Sequence, residues 1–98
     1  MDQLILDFIN KYFNNIEQFE SDLGTKYIVG HIFGDRYMIS QKDLYIVTKR
    51  IDGHDLYVAV YENCHQVIEL LNKIKDKENL IPNDKAKMLA SITGFKTI

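Results

Sequence analysis

The segment Tyr27–Tyr61 constrains this chain most. It alternates apolar and polar residues in short runs punctuated by turn-forming residues, the period-two pattern of half-buried strands. The four runs are Tyr27–Phe33, Arg36–Ser40, Leu44–Arg50 and Leu56–Tyr61. The turn signals between them are Gly34-Asp35, Lys42-Asp43 and Asp52-Gly53. Connections this short join antiparallel neighbours, so the segment reads as a meander.

Helical patterns flank it. Over residues 2–20, Leu4, Ile5, Phe8, Ile9, Tyr12, Phe13, Ile16 and Phe19 recur at helical spacing. Their arc spans about 200° of a helical wheel, wider than the ~100° stripe of a surface helix. Such a helix needs two partners: the sheet, and either a second helix or a second copy of the chain. Asp22 and Gly24 are its stop signal. Asn63 is the expected N-cap of a helix from Cys64 to Lys77, with Val67, Ile68, Leu70, Leu71 and Ile74 as its stripe. A third helix is expected over 83–93, with Met88, Leu89 and Ile92 turned inward and Gly94 ending it. The expected fold is therefore α+β. Residues 1–98 form a single domain in αββββαα order, a four-stranded antiparallel meander packed with N-terminal and C-terminal helices.

Register decides which residues share a face. The simplest register pairs Phe33 with Arg36 and Ser40 with Tyr45, and closes the last hairpin with the loop Ile51–Asp55. It puts Ile28, Gly30, Ile32, Tyr37, Ile39, Leu44, Ile46, Thr48, Leu56, Val58 and Val60 on a core face. The opposite face collects Tyr27, Val29, His31, Phe33, Arg36, Met38, Tyr45, Val47, Lys49, Tyr57 and Tyr61. A tight two-residue turn at Asp52-Gly53 would flip the fourth strand. Tyrosine and arginine dominate interface hot spots, so Arg36, Tyr45, Lys49, Tyr57 and Tyr61 are the expected partner-binding residues. The same set could stack single-stranded bases. Covered by helices, it would instead be a second core layer with its hydroxyls at the margin.

The net charge is −2 and unevenly spread. Asp2, Asp7, Glu17, Glu20 and Asp22 face Lys11 alone in the first 24 residues, and lysines cluster at 73–77 and 85–87. Neither bias amounts to a nucleic-acid footprint. Cys64 is the single cysteine, which excludes an intrachain disulfide and fits a reducing compartment. The start Met1-Asp2-Gln3 lacks a basic leader region, and no apolar run is long enough to cross a bilayer. The expected location is cytoplasmic, a host cell's cytoplasm if the gene is viral.

Candidate chemistry is sparse. Cys64 falls at a helix N-terminus, where a thiol pKa can drop, but His65 points about 100° away from it and is a poor base for it. Asp52-Gly53-His54-Asp55 places an imidazole and two carboxylates in one turn, without zinc or calcium ligand spacing. No phosphate-binding glycine loop or nucleophile elbow occurs. No catalytic residue, metal ligand or cofactor is assigned, and an enzymatic reading has no site to rest on. By analogy of size and lack of motif, the expected function is that of a phage or mobile-element protein that binds a host protein and regulates or inhibits it. A single-stranded nucleic-acid module is the alternative.

Overall fold

The computed structural model describes residues 1–98. Its elements run α1 (Gln3–Tyr12), β1 (Asn14–Glu20), β2 (Lys26–Ile32), β3 (Asp35–Gln41), β4 (Tyr45–Ile51), β5 (His54–Tyr61), α2 (Cys64–Lys75) and α3 (Asp84–Thr93). The strands form one antiparallel sheet in chain order, β1-β2-β3-β4-β5. The α+β class and the meander match the sequence reading. The strand count does not: there are five, because the expected long first helix stops at Tyr12 and its second half is β1.

Gly30 accounts for where α1 ends. A Cβ at Gly30 would stand 3.1 Å from Phe13 Cβ and 3.4 Å from Ile9 Cγ2, so the end of α1 presses directly onto the β2 backbone. Continuing the helix would carry Ile16 and Phe19 past the sheet. Instead the chain passes through extended Phe13 and left-handed Asn15 (φ 50°) into β1. There it pairs with β2, which would otherwise be an unpaired edge. Gly24 is left-handed (φ 85°) as expected, but it closes the β1–β2 turn and not a helix.

Helices α1 and α2 cover one face of the sheet. Ile5, Ile9 and Phe13 of α1 and Val67, Leu70, Leu71 and Ile74 of α2 meet Ile28, Ile32, Tyr37, Ile39, Tyr45 and Val47 in the core. The second contact required by the broad apolar arc of α1 is α2: the Lys75 ammonium of α2 lies 5.0 Å from the centroid of the Tyr12 ring, which packs against Phe8 of its own helix at 4.7 Å.

The register differs from the simplest one in ways that depend on parity. The β2–β3 turn falls at Phe33-Gly34, one residue early, with both residues left-handed. That shifts the pairing by two and leaves both faces intact, so Ile28 faces Ile39 and Gly30 faces Tyr37. Between β3 and β4, Gln41 pairs with Tyr45 and Ile39 with Val47, a slip of one that exchanges the faces of β4. Tyr45, Val47 and Lys49 therefore face the helices, while Ile46 and Thr48 face away. The last turn is the tight Asp52-Gly53 form, both residues left-handed, and Ile51 pairs with His54. Val58 is then an extra, bulged residue, since Val47 faces Ala59 and Thr48 faces Tyr57.

Helix α3 lies along β5, not over the sheet. It buries Ala86 and Ala90, half-buries Leu89, and leaves Met88 (63 % exposed) and Ile92 (76 % exposed) outward, so two of the three residues expected inward face solvent. Two alanines one turn apart let the helix approach the strand closely. Asn83 caps α3 through Ala86 N–H and also clamps the β5 edge: its Oδ1 accepts from Val60 N–H at 3.2 Å, and its Nδ2 donates to Val60 C=O at 2.8 Å. Farther along, Tyr57 N–H donates to Lys96 C=O and Ile98 N–H to Tyr57 C=O, which seals the same edge with the tail.

Candidate open sheet face

The five expected partner-binding residues do not share a surface. Tyr45 is buried (8 % exposed) under the helices, and its hydroxyl donates to the Asp2 carboxylate at the start of α1. Tyr61, opposite Tyr45, is half-buried against the same core. Lys49 also faces the helix side. Its ammonium sits 5.7 Å from the Tyr37 ring centroid and 3.6 Å from an Asp35 carboxylate oxygen. Only Arg36 and Tyr57 lie on the opposite face, together with Tyr27 and His31. The one-residue slip between β3 and β4 is the cause: it carries Tyr45 and Lys49 inward and brings Ile46 and Thr48 outward.

Helices α1 and α2 leave that second face uncovered, and α3 reaches its β5 margin, where Val60 is buried. Its rows follow from the register. Glu17, Val29, Met38, Thr48 and Tyr57 form the central row, and Phe19, Tyr27, Ser40, Ile46 and Val60 form the row beside it. Phe19 and Tyr27 stack at 4.8 Å with planes 15° apart, and at the far edge Tyr57 meets Phe95 edge-on at 6.2 Å. A third row holds His31 and Arg36, with Arg50 and Asp55 completing it. Both arginines converge on Asp55: Arg36 Nη1 lies 3.4 Å and Arg50 Nε 3.2 Å from the same carboxylate oxygen.

The half of this face nearer β5 is a groove of about 800 Å³, lined among others by Met38, Ile46, Thr48, Tyr57, Phe95 and Lys96. Thr48 is 6 % exposed, and its hydroxyl has no hydrogen-bond partner within the chain. His31 Nδ1, on the same sheet face, is likewise buried and unpartnered. Buried polar atoms without partners are uncommon. These two lie on the face that lacks a covering layer. Met38 was on the outer face in the sequence reading as well, whereas the mistaken register hid Ile46 and Thr48 in the core. The Asp52-Gly53 dipeptide signals the tight β4–β5 turn, but it says nothing of the β3–β4 slip that sets the face of β4.

Elsewhere the chemistry is quiet. Cys64 caps no reactive centre: burial first, then the charge and hydrogen bonding of Asp2, push its thiol pKa up, opposing any lowering by the helix terminus. No group of three His, Cys, Asp or Glu side chains comes together to hold a metal ion. No helix is long and apolar enough to cross a membrane.

Burial also raises the pKa of Tyr37, which the Lys49 charge only partly offsets, and that of Tyr61, which the Glu69 charge raises further. All three acids thus resist ionisation in the folded chain more than in the unfolded one. Their contribution to stability is complete below the ordinary values of 9.0 (Cys64) and 10.0 (tyrosines), and is lost as pH climbs through the raised folded values. Melting temperature should therefore fall on the alkaline side, and Tyr37 and Tyr61 should ionise together with unfolding, seen as tyrosinate absorbance that rises with the loss of structure. A melting temperature that stays constant through this range would show that the buried hydroxyls ionise freely.

Compared with known proteins, the chain matches no family model, no curated protein and no solved structure.

Proposed function

We propose that this chain is a non-enzymatic binding protein that regulates or inhibits a protein partner by holding it against the open face of its sheet. The observation that supports the reading is the asymmetry of the two faces. One is sealed by α1 and α2. The other presents half-buried Met38, Ile46 and Tyr57 and the exposed ring of Phe95 (64 % exposed) beside Arg36, outside the cover of α1 and α2. A mixed apolar, aromatic and arginine surface of this kind is what hot spots are made of. Of the residues singled out from sequence, Arg36 and Tyr57 remain as partner contacts. Tyr45, Lys49 and Tyr61 are reassigned to holding the fold. A small regulator from a phage or mobile element, acting in the host cytoplasm, fits this size and simplicity by analogy alone.

The test is affinity capture from a nuclease-treated host lysate, followed by measured binding of the captured protein to variants. Tyr57→Ala and Arg36→Ala should each weaken binding by about 1–3 kcal/mol, with Ile46→Lys weaker still, while Lys87→Ala on α3 changes nothing. Undiminished binding by all three face variants would refute the reading.

A nucleic-acid partner is the second reading, supported by the Phe19–Tyr27 stack and the two arginines on one face. It is weakened by Asp55, which occupies both arginines, and by the net charge of −2. Affinity for single-stranded oligonucleotides that falls steeply with salt would favour it over the protein reading.

A further inference from the structure

The two edges of the sheet are treated differently. The β5 edge is closed twice, by the Asn83 clamp on Val60 and by the tail on Tyr57. The β1 edge is open, and every residue from Asn14 to Glu20 is exposed except half-buried Ile16. Ser21 N–H donates to Thr25 C=O. The antiparallel alternation of bonded pairs then turns the backbone N–H and C=O of Gln18 and Glu20 outward, toward an absent neighbour.

That edge also carries acidic charge. Glu17, Glu20 and Asp22 form no ion pair, as is true of most carboxylates of the chain, and one cation, Lys26, stands opposite Glu20 in the ladder. Natural edges are commonly blunted with lysine, which repels another copy of itself. Here the repelling charge is acidic, and it selects against a second copy, whose own Glu17 and Glu20 would join the same ladder. It is complementary to a basic strand. Apolar footholds are present as well: Phe19, 49 % exposed on its stack with Tyr27, and Leu23, 80 % exposed in the adjoining turn.

We infer that β1 is a docking edge for an extended basic peptide, which adds to the sheet as a sixth strand. Outward amides of β1 supply the ladder. Glu17 and Glu20 take lysine or arginine side chains on opposite faces of the added strand, and Phe19 packs an apolar residue between them. This edge lies across the sheet from the β5-side groove, so the inference stands independently of how that groove is used.

The experiment uses a fluorescein-labelled peptide with lysine at every third position and valine between, which presents lysines on both faces of an added strand, read by fluorescence anisotropy on the whole chain. Two control peptides accompany it: one with glutamate in place of lysine, and one with lysine retained but alternate backbone nitrogens methylated. The lysine peptide should bind, less tightly as salt rises. Neither control should bind. Glu17→Lys with Glu20→Lys should weaken the lysine peptide by about tenfold or more, from the loss and reversal of two cross-strand charge pairs. Melting temperature should barely change, since both side chains are exposed. Equal binding of the methylated peptide would mean diffuse charge attraction and would overturn strand addition. So would undiminished binding by the double variant, or a homodimer that pairs β1 with β1 and excludes the peptide.

Discussion

Val47→Asp should leave the chain unfolded or nearly so, while Ile46→Asp, one residue away, should leave it folded. Val47 is fully buried between Ile39 and Ala59 under the helices. A carboxylate there has no cation or donor within reach, and stranding such a charge costs several kcal/mol, about 3–5 by comparison with broken buried pairs. A domain of this size has only about 5–15 kcal/mol in total. Ile46 is half-buried on the open face, where an aspartate can turn its carboxylate to water, so its loss should be limited to about 1–2 kcal/mol of apolar burial. Urea titration of both variants gives the comparison directly. If Ile46→Asp proves the more damaging, the β3–β4 register is wrong by one and the face assignments reverse.

The second large effect is expected at a side chain that looks peripheral. Asn83→Ala removes the N-cap of α3 and both bonds of the β5 clamp. At about 1 kcal/mol for the cap and about 1 for each clamp bond, the loss is about 3 kcal/mol. At about 4–8 °C per kcal/mol, that is a drop of well over 10 °C in melting temperature. Asn83→Ser separates the two roles. Serine restores the cap, but its short hydroxyl cannot both accept from and donate to Val60, so about 1 kcal/mol of the loss should return. Full recovery with serine would mean that the clamp contributes nothing. Unclamped, β5 also exposes backbone groups, and the alanine variant should self-associate with increasing concentration where the parent does not.

Local features of the chain were legible wherever the deciding interaction is local. Asn63 accepts from Gln66 N–H as an N-cap, and Asn83 does the same for Ala86, because a cap depends only on residues within one turn. Gly94 is left-handed at the end of α3 (φ 77°) for the same reason. Alternation along Tyr27–Tyr61 identifies strands because period two is a property of each strand alone. The inner residues of β2 and β3 were identified correctly even though the turn slid by one position, since closing a hairpin one residue early shifts its pairing by two.

The remaining features depend on the assembled structure. Ile16 and Phe19 fit a helix as well as a strand by spacing, and what ends α1 is Gly30, seventeen positions after Phe13, accepting that ring against its backbone. Met88 and Ile92 look like an inward stripe. It is the close approach of α3 to β5, permitted by Ala86 and Ala90, that turns them out. Above all, one residue of register between β3 and β4 moves Tyr45 and Lys49 under the helices and opens Ile46 and Thr48 to the far face. Sequence determined the four strands of Tyr27–Tyr61, the presence of turns between them and the helix caps, whose energies are settled among near neighbours. Only the tertiary structure decided which face of β4 is buried, because both faces carry apolar residues and the choice is made by the fit of Val47 and Tyr45 against α1 and α2.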